Sequence, residues 1–234
     1  MSVVGTVPVT KEGKKRPILA AVALATAAAA VIVWRLAQPP TLEQAARNTL
    51  TAFESGKGEV AIKYLHPDEV SALQLTSKKL ELVFKKLQDS LPASANYQGA
   101  SIDVTKTTGM YEISKTLPIN NGKSMELALM AVSTDQGPKV LSLIYSLFMY
   151  GVTENFPQDP AERKGVSKIK HTLESFPRVA EIFKSSGING IYLADPTESR
   201  TLTWDEYFTL LNGKFIEGQR REKVQVPEKA NPKE

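Results

Sequence analysis

The pattern of apolar and polar positions changes character along the chain. Over residues 18–34 only Thr26 carries a polar side chain, so no stripe of polar residues recurs at the 3.6 period that a soluble core helix shows. Seventeen residues at helical rise span roughly 26 Å, close to the ~30 Å hydrocarbon core, and Leu36, Ala37 and a snorkelling Arg35 cover the difference. Residues 17–37 are read as a transmembrane signal-anchor helix. The rival reading is a cleaved signal peptide, with basic residues 14–16, an apolar stretch 18–24 and small residues 25–30. Against it, apolar positions continue through Val31, Ile32, Val33 and Trp34, and Trp34-Arg35 has the form of an interfacial anchor.

Beyond Pro39-Pro40 the pattern becomes helical. Thr41 and Gln44 form a capping box, and Leu42, Ala46, Leu50 and Phe53 share a face as far as Ser55. Gly56-Lys57-Gly58 breaks that helix, a second runs over 60–65 to His66-Pro67, and a third covers 77–88 with Leu80, Val83, Phe84 and Leu87 on one side. The period then drops to two. Ile102 and Val104 alternate with Asp103 and Thr105, and Tyr111, Ile113, Leu117 and Ile119 with Glu112, Ser114 and Thr116. Asn120-Asn121-Gly122 is a turn, after which Met125, Leu127 and Leu129 start a third strand. The run 140–150, apolar at nearly every place after Asp135-Gln136-Gly137-Pro138, is read as a fourth, buried strand.

A helix is expected from Asp159-Pro160, divided at Pro177. Gly190 opens a short apolar stretch, and Thr203 with Glu206 forms another capping box ahead of Tyr207, Phe208, Leu210 and Leu211. Residues 218–234 hold too few apolar groups to pack and are expected to be disordered. The fold class is α+β: an N-terminal transmembrane helix, then helices packed on a curved antiparallel four-stranded sheet, with extra C-terminal helices. The expected domains are a cytoplasmic basic N-terminus (1–16), the anchor (17–37), an extracytoplasmic domain (38–217) and the tail (218–234).

Charge changes this picture in one respect. The chain has 29 Lys and Arg against 25 Asp and Glu. Setting aside Lys11, Lys14, Lys15, Arg16 and Arg35 leaves 24 basic residues (29 − 5), and setting aside Glu12 leaves 24 acidic ones (25 − 1). The excess belongs to the flanks of the apolar run, where it puts the N-terminus in the cytoplasm and the rest outside. The neutral remainder carries no nucleic-acid footprint. Lys14, Lys15, Arg16, Trp34 and Arg35 are the expected membrane-interface residues. There is no cysteine, which excludes a disulfide scaffold, a thiol nucleophile and a cysteine zinc site.

Helices followed by an antiparallel meander, together with LEQAARNTLTAFESGKGEVAIKYLHPDEV over residues 42–70, resemble the nuclear-transport-factor-like or ketosteroid-isomerase-like cone fold over residues 41–150. That family holds isomerases, dehydratases and many non-catalytic binding modules, so the resemblance implies a concave pocket and no particular reaction.

Candidate chemistry is sparse. His66 stands beside Asp68 and Glu69, a setting for a general base or a metal ligand. The competing reading is a cap at a helix junction, since one His and two adjacent acids are too few for a metal cage. His171 reads as part of a solvated helix face. Asp103 points away from the apolar side of its strand, unlike the inward acid or His of cone-fold enzymes. Trp204-Asp205-Glu206-Tyr207 reads as a helix start whose acids complement the dipole and whose aromatics dock on the core. The Ala21, Ala25, Ala29 spacing permits close helix approach in a membrane. The expected role is a membrane-anchored binding or interaction module, with a cone-fold enzyme for an apolar small molecule as the alternative. The expected partners are the bilayer through residues 17–37 and either another membrane protein or an apolar ligand. No cofactor, metal or nucleic acid is expected. A secreted form after cleavage is the alternative location.

Overall fold

Thr41 starts the first helix by reciprocal bonding: the Gln44 backbone N–H donates to Thr41 Oγ1 at 3.2 Å, and the Thr41 N–H to Gln44 Oε1 at 2.9 Å. Two of the donors that a helix start leaves open are thereby satisfied. The protein is a computed structural model, and it describes residues 40–90, 101–107, 110–119, 123–152, 156–157, 165–194 and 199–225. Helix α1 (Leu42–Glu54) buries Ala46, Leu50 and Phe53. It is followed by α2 (Gly58–Tyr64), α3 (Pro67–Ala72) and α4 (Ser77–Asp89), the last with Leu80, Val83, Phe84 and Leu87 buried as its period predicts. Gly58 is required where α2 begins. A Cβ there would lie 2.1 Å from the Ser77 carbonyl oxygen, so only glycine lets α2 meet the start of α4.

Strands β1 (Ser101–Thr107), β2 (Met110–Ile119), β3 (Lys123–Thr134) and β4 (Gly137–Leu141) form an antiparallel meander in chain order. The register sets Ile113 opposite both Val104 and Leu129, and Leu117 opposite Met125. Ile113, Leu117, Met125, Leu127, Leu129 and Ala131 are buried on this face, against α1. On the edge strand β1 the predicted alternation is present, yet Ile102 and Val104 remain 47% and 41% exposed. The buried face stops at β2.

The expected fourth strand is corrected. Only residues 137–141 are extended, and Leu143–Val152 is a helix, α5. Strand β4 pairs with Met130–Thr134 of β3, and the short β5 (Phe156–Pro157) pairs with Lys123 and Ser124. Helix α5 packs in contact with β3, and no strand continues β4 past Leu141 along it. Its missing local N-cap explains the misreading. Ser142, at φ +53°, turns its hydroxyl to accept from the Ala194 N–H, and the helix start is capped instead by the carboxylate of Glu69.

Helix α6 (Gly165–Lys184) runs through Pro177, which was expected to divide it. An internal proline costs about 3 kcal/mol, but Phe176, Val179, Ala180 and Phe183 are all buried from the same helix. Each large side chain among them contributes ~1.5–3 kcal/mol. A hairpin of β6 (Gly190–Ala194) and β7 (Ser199–Thr203), not anticipated, precedes α7 (Trp204–Gln225). That helix continues past Gly218, where the disordered tail was expected to start.

The transmembrane helix in the expected fold class is also corrected. Among the described residues no helix is long and apolar enough to cross a membrane, and the architecture they form is an α+β domain. Residues 17–37, on which that expectation fell, lie outside the described residues.

Candidate functional site

Between helix α1 and the buried sheet face, beside the helix's C-terminal turn, lies a cavity of about 320 Å³. Leu50 and Phe53 of α1, Leu117 of β2, Leu127 of β3 and Tyr150 of α5 form an apolar lining. Their placement follows from two periodicities. Leu50 and Phe53 are three apart on a helix, and Leu117 and Leu127 project from the same face of paired strands. Phe53 meets Phe84 and Tyr150 edge to face, each with ring centroids 5.4 Å apart, contacts that fix its ring.

The rest of the lining is polar. Lys115 Nζ is ion-paired with Glu54, linking β2 to the end of α1, with side chains 21% and 41% exposed. The amide of Gln88, from α4, donates to the carbonyls of Phe53 and Glu54 and ties up the C-terminal carbonyls of α1. The geometry is that of an apolar chamber with a polar margin. Its volume lies at the low end of the ~300–1,000 Å³ of small-molecule sites.

His66 does not line this chamber. It caps α3: its Nδ1 accepts from the Asp68 N–H at 3.4 Å, and its backbone N–H donates to Val140 at 2.9 Å. The helix-junction reading is the one its geometry fits. Asp103 is exposed on β1, on the face opposite Ile102 and Val104. His171 differs from expectation. It is partly buried, with Nε2 2.6 Å from the Val152 carbonyl oxygen, so it ties α6 to the end of α5. Trp204 and Tyr207 are buried while Asp205 and Glu206 stay exposed. The Trp204 indole N–H donates to Ile188 at 2.8 Å, and Glu206 accepts from Thr203, which pulls its carboxyl below the ordinary range.

The residue whose role the sequence did not reveal is Glu69, read there only as an acid beside His66. It is fully buried, accepts from the Leu143 and Ile144 N–H groups at 3.0 and 2.9 Å, and has its pKa pushed up to about 7 by desolvation, against the pull of those two bonds. The signal was present: Leu65, Glu69 and Leu73 recur at four-residue spacing, and all three are buried. Lys14, Lys15, Arg16, Trp34 and Arg35 lie outside the described residues. No group of three His, Asp or Glu among the described residues is arranged to hold a metal ion.

Compared with protein-family models, with curated proteins and with solved structures, the chain matches none.

Proposed function

We propose that the α+β domain is a binding module for a small apolar molecule, taken into the chamber between α1 and the sheet. The observation that carries this is the lining itself. Leu50, Phe53, Leu117, Leu127 and Tyr150 surround the chamber, while Glu54 and Lys115 neutralise each other within it. An apolar ligand gains from leaving water there, at ~25 cal/mol per Å² buried, and no strong charge in the lining repels it. The resemblance to cone folds supports the same reading, because in that architecture helices and a curved sheet enclose such a chamber.

The test is a titration with N-phenyl-1-naphthylamine, a neutral apolar fluorophore. Saturable one-to-one enhancement that Leu117→Trp abolishes without lowering Tm by more than a few degrees supports the module. Enhancement that is absent, or indifferent to filling the chamber, contradicts it. The enzyme alternative, an isomerase or dehydratase on the same ligand class, draws on Glu54 and Tyr150 sharing the chamber. It needs a free carboxylate, whereas Glu54 is paired. Solvent deuterium entering an apolar ketone, and lost in Glu54→Gln, would move the assignment to that alternative.

The working location is proposed as a cell membrane, N-terminus inside and domain outside, on the strength of the Lys14-Lys15-Arg16 cluster ahead of the apolar run 18–34. A chain that stays with membranes in carbonate supports this. A soluble chain whose N-terminus falls between Ala28 and Val33 supports the secreted alternative.

A further inference from the structure

A second cavity, of about 260 Å³, lies where α5, α6, the β6–β7 hairpin and α7 meet, and it shares no lining residue with the first. Met149, Leu193 and Leu210 give it apolar walls. Tyr145 and Tyr207 meet edge to face there, ring centroids 6.5 Å apart. Neither tyrosine hydroxyl has a hydrogen bond among the described residues, yet no described buried side-chain oxygen is left without a partner. Both hydroxyls therefore reach open space rather than being sealed in the core. Burial raises both phenols above their ordinary value, and Tyr207 is raised further by its neighbour Tyr145, so they stand as O–H donors.

The charged groups of this lining are all basic. Lys168, Arg200 and Lys214 come from α6, β7 and α7, and no Asp or Glu accompanies them. The side chains of Arg200 and Lys214 make no ion pair or hydrogen bond among the described residues. The body of the chain is charge-balanced, so an apolar cavity whose charges are all of one sign is a local feature. Two unengaged cations and two unengaged hydroxyl donors around apolar walls match one ligand chemistry, an anionic head on a short apolar body.

We propose that this cavity binds a small apolar carboxylate, its chain against Met149, Leu193 and Leu210 and its head group toward Arg200 and Lys214, with the Tyr145 and Tyr207 hydroxyls as further donors. A carboxylate is the anion the dimensions favour, because the space falls below the ~300 Å³ at which drug-sized sites begin and cannot take a large phosphoester with its substituents.

The experiment is calorimetric titration of the full chain with octanoate and, separately, with 1-octanol, which has the same body and no charge. Octanoate should bind one to one, and the exposed-site double variant Arg200→Gln/Lys214→Gln should weaken it at least about tenfold, the loss of one charge-assisted hydrogen bond. Octanol should bind more weakly and be indifferent to the double variant. Leu117→Trp, which fills the other chamber, should leave octanoate binding unchanged, and this separates failure of one site from failure of the other. Absence of saturable octanoate binding, equal affinity for octanol, or retention of full affinity in the double variant at unchanged Tm would each overturn the assignment. Loss of octanoate binding in Leu117→Trp would assign the ligand to the first chamber and overturn it as well.

Discussion

Glu69 gives the sharpest quantitative test of how the domain is held together. Its carboxyl lies under α5 with no exposure, and its pKa rises from 4.5 to about 7. The difference, 7 − 4.5 = 2.5 pK units, corresponds to about 3 kcal/mol at ~1.4 kcal/mol per unit. The folded state holds this proton more tightly than the unfolded chain does. The stabilising contribution is therefore fully present below pH about 4.5 and is lost as pH rises through about 7. Against a total stability of ~5–15 kcal/mol for a domain, this is a large effect from one side chain. Urea unfolding of wild type and Glu69→Gln between pH 4.5 and 8 isolates it, since the difference between the two curves cancels every other titrating group. That difference should shift in favour of the Gln variant by about 3 kcal/mol as pH rises. A flat difference curve would refute the reasoning, and would mean that the two N–H donors of α5 keep the carboxylate charged despite burial. Glu69→Ala leaves both donors without a partner at every pH and should cost ~2–4 kcal/mol.

Other substitutions probe other joints. Gly58→Ala forces α2 away from the Ser77 carbonyl and should cost ~3 kcal/mol or more, read as a fall in the urea midpoint at unchanged slope. Trp204→Phe keeps most of the ring contact with Phe148 and Phe183 but leaves the Ile188 carbonyl without its 2.8 Å donor; a loss of ~1–3 kcal/mol in the same assay is expected. His66→Ala removes one long cap bond of 3.4 Å and keeps the backbone bond to Val140, so it should cost under ~1 kcal/mol and leave ligand binding intact. Loss of binding at unchanged stability would return His66 to the list of functional groups.

Much of this architecture could be read where its causes are local. The capping boxes at Thr41 and Thr203 and the apolar faces of α1 and α4 depend on residues within a few positions of one another, and each formed as its spacing implied. Helix α5 was missed because its N-terminal cap comes from 74 residues away. Without that cap, an apolar run after a strand hairpin looks like another strand. Pro177 misled for a related reason, since the burial of Phe176 and Phe183 that carries α6 through it belongs to the tertiary fold. His66 drew attention as a titratable type, while Glu69, three residues on, was read only as its acidic neighbour although it sits in the Leu65, Leu73 stripe. Neither cavity was legible in residue detail, because each draws its lining from at least four elements whose mutual packing no single segment encodes.

The central proposal, an apolar ligand between α1 and the sheet, is tested most directly by methyl-resolved NMR during titration with N-phenyl-1-naphthylamine. The methyl groups of Leu50, Leu117 and Leu127 all border the chamber. They should shift together and saturate at one equivalent, while those of Leu193 and Leu210 stay in place. Methyl shifts that do not saturate, or that fall elsewhere and spare these three leucines, would contradict the account.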